Sequence, residues 1–254
     1  MGPPGKDGDQ DLGLHGRYNV TPAKQVCDNS KWSGDEYNME IRGVVEESTL
    51  FGDKVRMTRT ISSKIGGKSL LIKDTAENFG SKKSPFMIIY HINPGFPLLD
   101  KMAKMFVTSK KTEPCSENSK ANVGKMLEFS DPTANFDEQN FLHTAKADKN
   151  GWAYSILINR TIGNGGLGMP GLGMYIKFKT KTLPFLNEWK MMGEVDYVLG
   201  MEPCNCKIEN RAVLRRQGKL PFIKPGEKKE MIVEIGVLEG KKEIEEYESK
   251  ISGN

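Results

Sequence analysis

The sequence predicts an all-β protein, and three observations carry that prediction. Several segments alternate apolar and polar residues with the period of a half-buried strand. Others run almost continuously apolar over six or seven residues, as strands covered on both faces do. Gly, Asn, Asp and Pro punctuate the gaps. Helical amphipathic periodicity is missing except in a charged stretch at 239–252.

In chain order, residues 39–42 (Met-Glu-Ile-Arg) and 55–61 (Val-Arg-Met-Thr-Arg-Thr-Ile) alternate and predict strands with one wet face. Residues 85–90 (Pro-Phe-Met-Ile-Ile-Tyr) and 152–158 (Trp-Ala-Tyr-Ser-Ile-Leu-Ile) predict strands buried on both faces. In 175–181, Ile176 and Phe178 face one side, while Tyr175, Lys177, Lys179 and Lys181 face the other. An apolar strand at 197–201 ends at Glu202, because Pro203 cannot donate to a ladder. Residues 231–237 alternate again. Two segments break the rhythm. Residues 101–125 are Lys-rich, with few large apolar groups, and predict a surface loop. The tandem Gly166-Leu-Gly-Met-Pro and Gly171-Leu-Gly-Met-Tyr lacks the Lys-Ser/Thr end of a phosphate loop and predicts a flexible inter-strand loop. The expected organisation is a disordered extension at 1–11, one β-sandwich domain at 12–240 and a charged tail at 241–254.

Composition narrows the function. A chain of 254 residues can bury a substantial core. Its net charge of +4 is far from the concentrated cation of a nucleic-acid binder, and the Lys-rich 101–125 has only Phe106 for base stacking. No stretch of 18 apolar residues exists to span a membrane, and no apolar core follows a basic start as in a signal peptide. Four cysteines, at 27, 115, 204 and 206, fit a reducing compartment, so the expected location is cytoplasmic. Cys204 and Cys206 lack a second ligand pair, so free thiols rather than a zinc site are expected.

Chemistry-bearing residues are few. The three histidines are His15, His91 and His143, and His15 and His91 lie beside Gly-containing turns, where loops on a rigid scaffold place binding residues. A lone histidine is nonetheless more often structural. Glu202 stands at a strand end where burial would raise its pKa toward a general-base value, although a charge capping a turn would look the same. Trp189 sets an aromatic face beside Lys190; sugar faces stack on indole and Lys donates to hydroxyls, yet Trp189 reads equally as core.

The run from Leu183 to Glu194, then Tyr197-Val-Leu-Gly-Met-Glu-Pro-Cys-Asn-Cys206, resembles an uncharacterised, DUF4432-type branch of the aldose 1-epimerase (galactose mutarotase-like) superfamily. The resemblance continues in His15-Gly-Arg17, His91-Ile-Asn-Pro-Gly95, Asp137-Glu-Gln-Asn-Phe-Leu-His143 and Gly218-Lys-Leu-Pro-Phe-Ile-Lys-Pro-Gly226, covering about residues 12 to 240. It implies a β-supersandwich with a sugar site on its concave sheet, and a small-molecule sugar as partner. By motif position, His91 resembles the superfamily's general acid and Glu202 its general base. His15, Arg17, Asn93, Glu138, Gln139, His143, Trp189, Lys190 and Asn205 resemble substrate contacts.

The implied activity is mutarotation, which requires no cofactor and no metal. Glu202 takes the anomeric hydroxyl proton, imidazolium His91 protonates the ring oxygen, and the reopened chain recloses on the other face. Alternatives are a binding module without turnover, a metal-dependent enzyme using His15, His91, His143 and Glu202, and an inactive truncated product. Family members carry a run of strands before the His-Gly-Arg motif, and here about a dozen residues precede it. The expectation is therefore a shortened chain, monomeric or homodimeric, that self-associates through strands such as 85–90 and 152–158 left without a neighbour.

Overall fold

Antiparallel strands dominate the computed structural model, which describes residues 2–162 and 171–253. The chain divides into two compact units, Met1–Ile89 with Asn205–Val233, and Tyr90–Cys204 with Glu234–Asn254.

In the first unit, β1 (Glu36–Ser48), β2 (Lys54–Lys64) and β3 (Ser69–Asn78) form an antiparallel meander. The alternation at 39–42 and 55–61 is the middle of much longer strands. Short strands Lys24–Asp28 and Lys31–Ser33 add to β1. Ile41 stands in register with Ile61, and Ile61 with Ile72. Ile41, Trp32 and Leu70 are exposed, so an apolar stripe lies open on this unit.

Residues 1–11 are not the disordered extension that composition suggests. Strands Gly5–Asp7 and Gln10–Leu12 make a hairpin. Arg215 and Arg211, on the short helix Arg211–Arg216, both donate to the buried Asp7 carboxylate, which they hold below the usual carboxylate range. The doubly buried strand expected at 85–90 shrinks to Ser84–Pro85, paired with Phe222–Ile223. Beyond it, amides bond to loops instead: Phe86 donates to the Pro221 carbonyl, and Ile88 to the Asn205 side chain.

The second unit holds β4 (Lys104–Val107), β5 (Ser109–Pro114), β6 (Gln139–Ala145), β7 (Trp152–Asn159), β8 (Leu172–Lys179), β9 (Phe185–Met192) and β10 (Tyr197–Cys204). Strand β11 (Lys228–Glu239) enters it at Glu234. One sheet has the order β5-β6-β9-β10; another set runs β11-β8-β7-β4. Strand β7 is paired on both sides, and its Ala153, Ile156, Leu157 and Ile158 are buried, so it does not lack a neighbour. The Lys-rich 101–125 is also more than a loop. It contains β4, β5 and the helix Glu117–Ala121, capped by Ser116. Its lysines 110 and 111 sit exposed on the sheet's outer strand, a usual way to keep an edge from pairing further.

The first copy of the tandem pentapeptide lies outside the described residues, and the second opens β8 rather than a loop. The charged tail is a helix, Gly240–Ser252. Ile244, Tyr247 and Ile251, spaced three and four apart, turn its apolar stripe onto Ile156, Ile158, Tyr175 and Leu238. Ile244, fully buried, contributes roughly 1.5–3 kcal/mol. Among the described residues no helix is long and apolar enough to cross a membrane.

Candidate functional site

Strand alternation sorts the polar residues of the four-stranded sheet onto two faces. Asn187 opposes Glu202, Trp189 opposes both Gly200 and Asn140, and these side chains share one face. Gln139, His143, Glu188 and Lys190 occupy the other, among Phe141, Leu186, Met192, Leu199 and Met201.

His91 reaches the first face through backbone pairing. Ile92 bridges Met201 and Gly95 bridges Val198, with Met201 N–H on the Ile92 carbonyl at 2.9 Å and Leu199 N–H on the Pro94 carbonyl at 3.1 Å. Continuing that register places His91 across from Glu202 and Asn93 across from Gly200. The His91 Nε2 lies 3.0 Å from Glu202 Oε1, although the contact lacks hydrogen-bond alignment. The other ring nitrogen, Nδ1, meets Asn93 Oδ1 at 2.5 Å, which orients the ring with Nε2 toward the carboxylate.

Glu202 is 2% exposed and His91 33%. Burial pushes the Glu202 carboxyl up, and Glu138 adds to this, while His91 and the hydrogen bond from Asn187 pull the other way. That bond runs from Asn187 Nδ2 to Glu202 Oε2 at 2.8 Å, and the same amide nitrogen reaches Asn140 Oδ1 at 3.2 Å. Gly200 is the floor. A Cβ there would stand 2.1 Å from Glu202 Oε1 and 3.2 Å from the Trp189 Cβ, so a bare backbone is what lets the carboxyl lie down beside the indole. The Trp189 ring meets His91 edge-on, centroids 5.9 Å apart, and its Nε1–H donates to Glu138 Oε2 at 2.7 Å.

The structure thus gathers His91, Asn93, Glu138, Trp189 and Glu202. It turns Gln139, His143 and Lys190 away, because they fall on the odd step of their strands. Lys190 donates to the Lys125 and Glu128 carbonyls at 3.0 and 2.7 Å, beside the Phe129 ring, and anchors that loop. His143 is sealed between Thr112 Oγ1 at 2.8 Å and Glu188 Oε2 at 3.0 Å. Asn205 spends its amide on the Phe86 carbonyl and the Ile88 N–H. His15, near the Gly2 amide, and Arg17, paired with Glu47, belong to the first unit. Sequence reasoning missed Asn187, Gly200, Thr112 and Glu188. Among the described residues no three His, Cys, Asp or Glu side chains group where they could hold a metal ion.

Residues 1–237 match the family described as Domain of unknown function (DUF4432). The chain belongs to the DUF4432 family. No curated protein matches it. Among solved structures, this DUF4432 chain is similar to a proposed aldose 1-epimerase from Klebsiella pneumoniae, with a TM-score of 0.91 and 27% identity. That match covers 99% of this chain and 64% of the Klebsiella chain, so the present sequence spans less than two thirds of the other's length. A galactose mutarotase-like protein from Clostridium acetobutylicum aligns with a TM-score of 0.60 and 14% identity, over 92% of this chain and 75% of that one. Another from Lactobacillus casei gives 0.56 and 11%, over 92% and 80%. These likenesses establish a galactose mutarotase-like β-sandwich fold for this DUF4432 member.

Proposed function

We propose that this DUF4432 protein is a sugar isomerase of the aldose 1-epimerase type, with Glu202 as general base and His91 as general acid. The observation that carries the reading is the 3.0 Å approach of His91 Nε2 to Glu202 Oε1 beside the Trp189 ring. Mutarotation moves one proton off the anomeric hydroxyl and one onto the ring oxygen, and both oxygens are bonded to the same carbon. An acid and a base must therefore converge on almost one point, as these two do.

With Nδ1 facing Asn93 Oδ1, Nε2 is the ring nitrogen turned toward Oε1. The working form is imidazolium with carboxylate. Glu202 Oε1 accepts the anomeric proton while His91 Nε2–H gives its proton to the ring oxygen. The ring C–O bond breaks and its electron pair takes that proton, while the anomeric C–O becomes a carbonyl. Rotation about C1–C2 and the reverse transfers close the ring on the other face. Trp189 supplies an apolar wall for the C–H side of the sugar, with Glu138 fixing the indole. The Klebsiella structure, 27% identical, supports the reading by its proposed activity. His15 and Arg17 enter only through the family resemblance. The reading takes a free sugar in the cytoplasm, acted on by a monomer or homodimer.

Exchange NMR of anomeric protons across a panel of aldoses tests it. Wild-type protein should accelerate exchange for at least one sugar, and Glu202→Gln should lower that rate by about 10²–10⁴-fold with the fold intact. Wild-type rates in the variant would sink the assignment. A second reading, sugar binding without turnover, is favoured by one observation: Glu202 is 2% exposed, with His91 at its Oε1. Saturation of sugar resonances with no exchange would select it.

A further inference from the structure

We infer that Asn187, held by Asn140, is a positioning residue that makes Glu202 a one-sided base, taking its proton on the oxygen that faces His91. The inference deepens the proposed reaction and rests on it for its catalytic meaning.

Hydrogen bonds across three strands carry it. An asparagine side chain has two N–H donors on one nitrogen and an acceptor oxygen. Asn187 Nδ2 spends both donors, one on Glu202 Oε2 at 2.8 Å and one on Asn140 Oδ1 at 3.2 Å. An oxygen receiving an N–H at 2.8 Å has no room for its own proton along that line. That lone pair of Oε2 is thus kept as an acceptor, and the proton that Glu202 takes is steered to Oε1, which receives no hydrogen bond. That atom points over the bare backbone of Gly200 toward His91 Nε2, 3.0 Å away.

Strand register explains why this arrangement is rigid. Asn187 is the direct cross-strand partner of both Glu202 and Leu142, and Asn140 lies two residues along β6 on the same face. Asn187 is 1% exposed, so water does not compete for its amide. Its Oδ1 is buried without a partner, as is expected if the nitrogen end is what the site uses. The charged groups that face Glu202 are His91, from the segment beside β10, and Glu138, from the residue before β6. Asn187 alone among these three neighbours is uncharged at any pH, so it can favour the ionised carboxyl without competing for the proton.

The test needs a readout that mere stabilisation would not move. With glutamate δ-carbons labelled, the Glu202 carboxyl is titrated by ¹³C NMR in wild type, Asn187→Leu and Asn187→Asp, its signal assigned by its loss in Glu202→Gln. Losing a hydrogen bond to the ionised form while staying buried should raise the midpoint by about one to two pH units in the Leu variant. The Asp variant is isosteric, so it covers the case in which the Leu variant does not fold. It cannot donate unless it is protonated, so its midpoint should rise at least as far. The acid limb of the exchange-rate profile should move upward by the same amount. Asn187→Leu combined with Glu202→Gln should be no slower than Glu202→Gln alone. A carboxyl midpoint unchanged in both variants overturns the inference, even if melting temperatures fall. A wild type that exchanges no sugar overturns the proposed reaction instead, while the carboxyl titration still decides the role of Asn187.

Discussion

Two histidine–glutamate pairs sit back to back on the same four-stranded sheet. Each brings a ring Nε2 to 3.0 Å from a carboxylate oxygen, and each ring has its Nδ1 held by a polar side chain. Distances do not tell them apart. Access does: His91 is one-third exposed, whereas His143 and Glu188 are both wholly buried. Their supports differ in kind as well. His143 is braced by Thr112 on a neighbouring strand; His91 is braced by Asn93 two residues along the same irregular segment. Both carboxyls are pushed up by burial. A perturbed acid–base pair is therefore a weak signature of function by itself. What singles out the His91 pair is an open side and an aromatic wall.

The comparison predicts opposite failures. Glu202→Gln should cost about 10²–10⁴-fold in exchange rate with the protein still folded. Glu188→Ala strands His143 in the core, and breaking a buried pair from one side typically costs about 3–5 kcal/mol of stability. The molecules that remain folded should exchange sugar at the wild-type rate. Urea unfolding with exchange NMR on both variants measures the two effects. If Glu188→Ala proved stable and inactive, the sealed pair would belong to the chemistry, and access would not be the deciding difference.

A smaller effect sharpens the catalytic side. Gly200→Ala places a methyl group where Glu202 Oε1 now lies, 2.1 Å from it, so the carboxyl has to swing off its floor. Misplacement on the order of 1 Å costs about 10²-fold in rate. The core face carries no corresponding demand, so the melting temperature should fall far less than in Glu188→Ala. Unchanged exchange in Gly200→Ala would mean that Glu202 does not need its present seat.

Much of the fold was legible in the sequence. Alternation marks a strand at 231–237, where burial is mostly one-sided; it marks strands at 39–42 and 55–61 as well, although Ile41 and Ile61 on the apolar face stand exposed. It failed at 101–125, where exposed edge lysines dilute the apolar signal of β4 and β5. At 85–90 apolar content misled, since Phe86 and Ile88 turn their amides to Pro221 and to the Asn205 side chain rather than to a ladder partner. Within the candidate site, His91, Asn93, Glu138, Trp189 and Glu202 were nameable by motif. The face that each residue occupies was not read. Yet the turn at 193–196 sets the β9–β10 register, which pairs Asn187 with Glu202 and Trp189 with Gly200. Reading that register would have separated Trp189 from Lys190, and would have offered Asn187 as the carboxyl's neighbour. Sealing of His143 depends on Thr112, thirty-one residues away in a segment read as loop, so local sequence could not show it.

The smallest predicted effect separates the two carboxyls by pH. Burial raises Glu188 and Glu202 above the usual glutamate value, so each holds its proton to higher pH when folded than in the unfolded chain. Between those two values the folded state binds more protons, and stability must fall as pH rises. Each contribution is complete below the unfolded value of about 4.3 and is lost as pH climbs through the folded one. Between the two values the slope is about 1.4 kcal/mol for each pH unit. Asp7 runs the other way. Its pKa is lowered, so its contribution is present above the unfolded Asp value and disappears as pH falls through the folded one. Comparing variants with wild type cancels that shared background. Glu188→Gln cannot ionise, so its stability should decline less steeply than wild type above the usual glutamate range. Glu202→Gln should show the same flattening to a lesser degree, because that carboxyl lies beside the one-third exposed His91, whereas Glu188 and its histidine are both wholly buried. Melting temperatures taken from pH 4 to 8 read both slopes. A larger flattening in Glu202→Gln would mean that the open side of the sheet, rather than its core, holds the more strongly shifted carboxyl.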